Sequence, residues 1–164
     1  MPRFTPAVAN EVAGIPLLPR GEYAFSIGEL KPFTRPKQNP DGTSTNMWGL
    51  QTSIKITDAD SDEGKVFVGK TLPFSLYMHG KSGSMNKQFA MAAVGYTLKQ
   101  EAEFNEAFPD DEDGENWHVD TDENSIGTAW KELIGKSVRA NVTQRPNKQD
   151  PNGALQNQFG WMPF

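Results

Sequence analysis

Apolar and polar residues alternate along several short stretches of this chain, and Gly or Pro separates one stretch from the next. Residues 47–57, MWGLQTSIKIT, show the pattern most clearly, with Trp48, Leu50, Ile54 and Ile56 on one side and Lys55 on the other. A period of two residues is typical of a strand with one buried face. Trp48 is therefore predicted to lie in the core. The same alternation predicts further strands over 21–33, 71–79 and 136–144, and a last strand is predicted over 154–164.

The apolar spacing changes to three and four residues after residue 83, which predicts a helix over 84–98 with Ser84 as its N-cap. A shorter helix is predicted over 128–134, ending at Gly135. Two segments rich in Gly and Pro read as loops: 34–46, with a Pro-Asp-Gly turn, and 145–153. The predicted order is three strands, a helix and two strands.

This order predicts a mainly β fold, the five-stranded OB-fold barrel, with the helix between strands 3 and 4. The 164 residues suit a single domain. Within it, residues 1–16 are interpreted as an N-terminal extension. Residues 101–125 are interpreted as an acidic insert before strand 4.

Charge is divided unevenly along the chain. Residues 100–134 carry twelve carboxylates and one cation, Lys131, a formal charge of −11, although the whole chain has only −5. The rest of the chain is therefore basic, at +6. A cationic surface suits a polyanion such as nucleic acid, because binding to phosphates depends on the number of cations. The alternative interpretation is that the acidic segment is an ordinary solvated surface loop.

An OB fold binds oligonucleotides on strands 2 and 3 and in the loops that join strands 1 to 2 and 4 to 5. Both of these predicted loops are basic, and cations interleaved with rings suit single-stranded nucleic acid. Phe33 and Trp161 lie at strand ends, where a ring can either fill the barrel or stack on a base. The candidate DNA-binding residues are Lys31, Phe33, Arg35, Lys37, Lys55, Tyr77, His79, Lys81, Lys87, Arg139, Arg145, Lys148 and Trp161.

Several segments resemble phage-encoded OB-fold single-stranded DNA-binding proteins, over about residues 17–164. They are LPRGEYAFSIGELKPF, WGLQTSIKITD, GKTLPFSLYM, ELIGKSVRANVTQ and LQNQFGWMPF. The resemblance implies binding of single-stranded DNA with little sequence specificity, to protect strands exposed in phage replication or recombination. It also implies a location in the cytoplasm of an infected bacterium.

The acidic run is where the chain departs from this family. Many replication single-strand binders carry such a run at the C-terminus, ending in an aromatic residue, whereas here it lies inside the chain. The terminal Met162-Pro163-Phe164 resembles the apolar tip of those tails without acidic residues directly before it. The candidate residues for binding replication or recombination proteins are Asp110, Asp111, Glu112, Asp113 and Phe164.

Two other classes of protein remain open on the sequence. One is an acidic protein that mimics DNA and engages a basic replication or nuclease partner; the other is a small virion structural protein. An enzyme is not expected, because the two histidines, His79 and His118, have no phosphate-binding loop or nucleophile motif near them.

Neither a cofactor, a metal nor a membrane is expected as a ligand or partner. The chain has no cysteine and no apolar run of about eighteen residues. Asp58, Asp60 and Asp62 have the spacing of a calcium loop, but Gly64 is one place late and Gly69 replaces the final Glu. A polar turn between strands is the preferred interpretation.

The acidic insert is expected to be mobile or weakly packed, because it is highly charged and lacks apolar periodicity. It would then be removable, and would compete with DNA for the cationic surface. Phe104, Phe108 and Trp117 favour the opposite interpretation, in which three rings anchor the segment as a structural lid.

Overall fold

The computed structural model describes residues 15–78, 83–110, 115–146 and 154–164, and within them the fold is mainly β. The strands are β1 Gly21–Ile27, β2 Lys31–Gln38, β3 Ser44–Ala59, β4 Thr71–Tyr77, β5 Val119–Asp120, β6 Ser125–Ile126, β7 Ser137–Pro146 and β8 Leu155–Pro163. The helices are α1 Asp62–Lys65, α2 Gly83–Ala93, α3 Glu101–Ala107 and α4 Thr128–Leu133, and a 3-10 turn spans Leu98–Gln100. None of these helices is long and apolar enough to cross a membrane.

The main sheet is antiparallel and is built around β3. One edge of β3 pairs with β2 through residues 44–51 and with β1 through residues 54–59. Its other edge pairs with β4. The sheet continues from β1 to β7 and then to β8, while β5 and β6 form a separate two-stranded ribbon.

The first predicted strand is split in two. β1 and β2 follow one another along the same edge of β3, and residues 28–30 separate them. There the Gly28 N–H donates to the Ser53 carbonyl at 2.8 Å. Opposite β1 the register jumps from Ala24–Asp58 to Phe25–Ile56, so Thr57 is an extra residue in β3. This β-bulge bends the long strand.

The predicted loop over 34–46 is wrong in extent, because β2 runs to Gln38 and β3 begins at Ser44. Only the tip of a β-hairpin remains irregular. The predicted Pro-Asp-Gly turn is confirmed there, with Gly42 at a φ of 85° and its N–H donating to the Asn39 carbonyl. Pro36 is tolerated inside β2 because this strand lies at the sheet edge, where a missing N–H costs no ladder bond.

A closed five-stranded barrel is not confirmed. Among the described residues no ladder joins β4 to β8, the two strands that closure would bring together. Rings bridge the gap instead, because the Phe74 centroid lies 5.2 Å from that of Trp161 and 5.8 Å from that of Phe159. Helix α2 covers this seam, with Phe89 4.8 Å from Trp161.

The core confirms the alternation predicted for β3, with one exception. Leu50, Ile54 and Ile56 are fully buried, together with Phe25 of β1. Trp48 lies on the same side of β3 but is 37 % exposed, so its prediction as a core residue is wrong. The reason is that the β2–β3 hairpin extends past the buried core cluster, and Trp48 lines an open cleft there that residues 118–121 line from the other side.

Three aromatic rings pack the acidic insert against the domain, contrary to the expected weak packing, although most of its other described side chains are exposed. Phe104 of α3 is only 3 % exposed, and its ring lies 5.6 Å from both Phe108 and Trp117. Trp117 in turn lies 4.8 Å from Trp130 of α4. The three rings therefore anchor the insert as the lid interpretation required.

Backbone contacts hold the same segment to the start of α4. The carbonyls of Glu115 and Asn116 accept from the N–H groups of Thr128 and Ala129 at 2.7 and 3.0 Å. At Gly127 the chain passes so close that a Cβ would lie 2.1 Å from the Asn116 carbonyl oxygen, so only Gly fits. Of the four predicted acidic partner-binding residues, Asp110 is exposed, whereas Asp111, Glu112 and Asp113 lie outside the described residues.

The chain before β1 is tied to the other end of the sheet. Leu18 is fully buried; its N–H donates to the Asn157 side chain at 2.9 Å and its carbonyl accepts from Gln144 at 2.7 Å. Asn157 also donates to the Pro16 carbonyl. Residues 1–14 of the predicted N-terminal extension lie outside the described residues, and Pro16 at its end belongs to the packed domain.

Candidate nucleic-acid interface

Strands β2, β3 and β4 present one continuous surface on the side away from the core. Leu50, Ile54 and Ile56 of β3 point inward, so the odd-numbered residues 47–55 point outward, and the register aligns their neighbours on β2 and β4. We call this surface the outer face. Its members are Lys31, Phe33, Arg35, Lys37, Met47, Gly49, Gln51, Ser53, Lys55, Pro73, Ser75 and Tyr77.

Two aromatic rings meet at the centre of the outer face. Phe33 of β2 and Tyr77 of β4 both stand opposite Gly49 of β3. Their centroids are 5.5 Å apart and their planes are inclined at 76°, an edge-to-face pair. Gly49 permits this contact between the two rings, because it places no side chain between them. It also lets β4 lie close to β3, since a Cβ at position 49 would lie 2.0 Å from the Leu76 carbonyl oxygen.

Arg35 joins the two rings into a cluster. Its Nη1 donates to the Tyr77 hydroxyl at 3.4 Å, and its Cζ lies 5.8 Å from the Phe33 centroid. At this distance the guanidinium interacts favourably with the ring. Arg35 is exposed and Phe33 and Tyr77 are half-buried, so the cluster offers both a cation and aromatic surface at the protein's exterior.

The surroundings of the cluster are polar and cationic. Lys31 and Lys37 are exposed on either side of it along β2, and Lys55 lies on the same side of β3, four residues beyond Gln51. A shallow groove of about 440 Å³ passes beside Arg35. It is lined by Glu29, Lys31, Arg35, Gln51, Thr52, Ser53, Pro73, Phe74 and Ser75.

The one carboxylate that lines this groove is Glu29, which pairs with Lys31 at 3.4 Å. Both side chains are largely exposed, so the pair is weak and a phosphate can compete for Lys31. Gln51, Ser53 and Ser75 were not among the binding residues predicted from the sequence. The alternation could have identified them, since they occupy the outward-facing polar positions of two correctly predicted strands, β3 and β4.

Two predicted binding cations are paired with carboxylates elsewhere. Lys87 lies on α2, where its Nζ is 2.7 Å from Glu101 of the insert. Arg139 of β7 forms an ion pair with Glu22 and lines a cleft that Asp58 and Asp60 also line. Neither arrangement favours a phosphate, because acidic groups repel it.

The remaining candidates are separated from the outer face. Trp161 is 7 % exposed and fills the interior between Phe74 and Phe89, so of the two alternatives for this ring the structure favours filling the interior over stacking on a base. Arg145 is exposed near the end of β7, and no described contact joins it to β2, β3 or β4. His79, Lys81 and Lys148 lie outside the described residues.

Phe164, predicted to bind a partner, is 73 % exposed and lines the same cleft as Arg139. Two of the three aspartates with calcium-like spacing accept hydrogen bonds within the fold. Asp58 accepts from the Ala59 N–H at 2.8 Å, and Asp60 accepts from the Glu22 N–H at 3.0 Å. Within the described ranges, no three His, Asp or Glu side chains are placed to hold a metal ion.

A scan against protein-family models finds no match to this chain, and a search of the curated proteins finds none that is significantly similar. The chemistry of the outer face is therefore the main guide to function. Exposed cations can neutralise phosphates, rings can stack on bases, and Gln and Ser side chains can accept or donate hydrogen bonds.

Proposed function

We propose that the protein binds single-stranded DNA on the outer face, with little sequence specificity and without catalysis. In this proposal it protects strands exposed in phage replication or recombination, as the family resemblance implies. The observation that carries the proposal is the cluster of Phe33, Arg35 and Tyr77, flanked by Lys31 and Lys37 on one strand.

The rings and the cations of the cluster contribute to the binding energy in different ways. A base that stacks on an aromatic ring contributes roughly 1–3 kcal/mol whatever its identity, because every base has a π-face. Cations along β2 bind the backbone and add no sequence preference. A surface of rings and cations therefore favours binding that tolerates any sequence.

The same cluster favours single strands over duplex. In a duplex the faces of the bases are stacked on one another, so a ring on a protein surface reaches them only when the strand is open. Phe33 and Tyr77 stand beside each other on a shallow surface, which suits successive bases of one flexible strand.

The test is a titration of the wild-type protein with fluorescently labelled oligo-dT at two salt concentrations. Binding should weaken with salt, and Tyr77→Ala should lower the affinity by roughly 1–3 kcal/mol. Tyr77→Phe is the matched control: it keeps the ring and loses the hydroxyl that Arg35 contacts, so most of the affinity should remain. Wild-type protein that binds duplex as tightly as oligo-dT, or neither of them, would contradict the proposal.

A second candidate function uses the acidic insert. Glu101, Glu103 and Glu106 are exposed on α3, a helix that Phe104 anchors to the domain. An ordered acidic surface supports binding of a basic replication or nuclease partner, with the insert acting as a mimic of DNA. Retention of such a partner by a protein that binds no oligonucleotide would favour this function over the first.

A further inference from the structure

The β2–β3 hairpin has a second surface, on the side opposite the outer face. Thr34 and Trp48 stand across from each other in the register, and Asn46 is two residues along β3 from Trp48. These three side chains alternate with Phe33, Arg35 and Met47, which belong to the outer face. The hairpin therefore carries rings on both sides.

A cleft of about 450 Å³ lies between this second surface and the β5–β6 ribbon of the insert. We call it the hairpin cleft. It is lined by Thr34, Asn46, Trp48, His118, Val119, Asp120 and Thr121. The ribbon is fixed in position, because the Gly127 N–H donates to the His118 carbonyl at 2.8 Å and Trp130 donates to the Trp117 carbonyl at 2.8 Å.

The lining suits a nucleobase and disfavours a phosphate. Trp48 is 37 % exposed and offers an indole ring on which a base can stack, and Asn46 and Thr34 offer groups that can hydrogen-bond the edge of a base. Asp120 lines the cleft with a carboxylate, and no Lys or Arg of the described ranges does so. Its Oδ1 accepts from the N–H groups of Asp122 and Glu123, both at 3.0 Å, which holds the carboxylate in place.

We propose that the hairpin cleft takes one base of a DNA strand that also occupies the outer face. This inference rests on the proposed function. Residues 34–38 of β2 are exposed, and among the described residues no strand pairs with their outer edge, so a DNA strand can cross from one side of the hairpin to the other over them. Arg35 and Lys37 are exposed along that edge and can bind the phosphates of the crossing nucleotides, while the base enters on the Trp48 side.

Tryptophan fluorescence reports on this cleft directly. Trp130 and Trp161 are buried and Trp117 is half-buried in the ring cluster, so Trp48 is the most exposed of the four tryptophans. Saturating oligo-dT should quench the wild-type emission. Trp48→Phe should abolish most of the quenching while it keeps a ring in the cleft and most of the affinity.

Affinity measured with labelled oligo-dT gives the second readout. Trp48→Ala should weaken binding of an oligonucleotide long enough to cross the hairpin by roughly 5- to 150-fold. The shortest oligonucleotide that still depends on Tyr77 should bind the variant as it binds the wild type. Thermal unfolding of each variant checks that it is folded at the assay temperature.

The outcomes separate the inference from the function on which it rests. If Tyr77→Ala loses affinity and Trp48→Ala binds every length like the wild type, the hairpin cleft takes no base and the outer face alone binds DNA. If the mononucleotide dTMP quenches Trp48 as strongly as oligo-dT does at the same concentration, the cleft is a separate nucleotide pocket and the crossing path is wrong. If the wild type binds no oligonucleotide, the proposed function fails and the inference with it.

Discussion

Two neighbouring residues of β3, Trp48 and Gly49, determine which aromatic rings are presented on each side of the β2–β3 hairpin. Gly49 brings β4 close enough for Phe33 and Tyr77 to meet, and Trp48, its neighbour, faces the other side of the hairpin. The side of β3 on which Trp48 lies was predictable from the alternation in the sequence. Its exposure was not, because exposure depends on where the core ends, and alternation along one strand carries no information on that.

Tyr23 gives a prediction at this scale. Its hydroxyl donates to the Pro19 carbonyl at 2.7 Å, and burial, followed by the nearby carboxylates of Asp60 and Glu63, raises the pKa of the phenol above its ordinary value of 10.0. The unfolded chain therefore loses this proton at a lower pH than the folded protein does. The stability that Tyr23 contributes should be present below pH 10.0 and lost as pH rises above it.

The measurement compares the free energies of unfolding of wild type and Tyr23→Phe across the alkaline range. At neutral pH the variant should be less stable by about 0.5–1.5 kcal/mol, the usual net value of one hydrogen bond. This difference should shrink as pH rises past the ordinary pKa of tyrosine, because Phe does not titrate. A difference that stays constant or grows would show that the phenol is not responsible.

At the scale of elements, local patterns predicted the strands well and the acidic insert poorly. Period-two alternation located β1, β3, β4, β7 and β8, and the three- and four-residue spacing located α2. The insert was misjudged because its charge hides a few well-spaced rings: Phe104, Phe108 and Trp117 pack against one another and against α4. Such long-range packing cannot be read from composition.

The anchoring of α3 is testable with two substitutions on the same helix. Phe104→Ala removes a buried ring and should destabilise the protein by about 3–5 kcal/mol in urea unfolding. Glu103→Ala, at the exposed neighbouring position, should change stability by less than about 0.5 kcal/mol. Equal, small effects for both would mean that the insert contributes nothing to the fold, as the sequence had suggested.

At the scale of the whole molecule, the basic and acidic residues that are separated along the sequence are only partly separated on the surface. Lys31, Arg35 and Lys37 stand together on β2, where the exposed Glu29 pairs weakly with Lys31, whereas Lys87 and Arg139 are each paired with a carboxylate away from the outer face. The sequence placed all five in one binding site. Pairing of this kind depends on tertiary neighbours, which neither net charge nor loop composition reveals.

Salt dependence tests whether the proposed DNA binding depends on the cations of the outer face or on the charge of the whole molecule. Replacing Lys31, Arg35 and Lys37 together with Ala should make the dependence of log affinity on log salt shallower by about 2, since each phosphate contact on a single strand contributes about 0.7. The control replaces Lys65, Lys99 and Lys136, which are exposed on other elements, and removes the same charge. If both triple variants change the slope equally, the field of the whole molecule, and not the outer face, attracts DNA.

The chain order of the strands has a consequence for folding. β2, β3 and β4 lie within residues 31–77 and pair as successive neighbours, whereas β1 pairs with β7, joining Tyr23 to Ala140. Closing so long a loop costs more conformational entropy than forming hairpins, so the β1–β7 contact should form late. During synthesis the outer face can assemble while β7 and β8 are still inside the ribosome. The apolar, core-facing side of these strands then stays without its cover from β7 and β8 until those strands emerge.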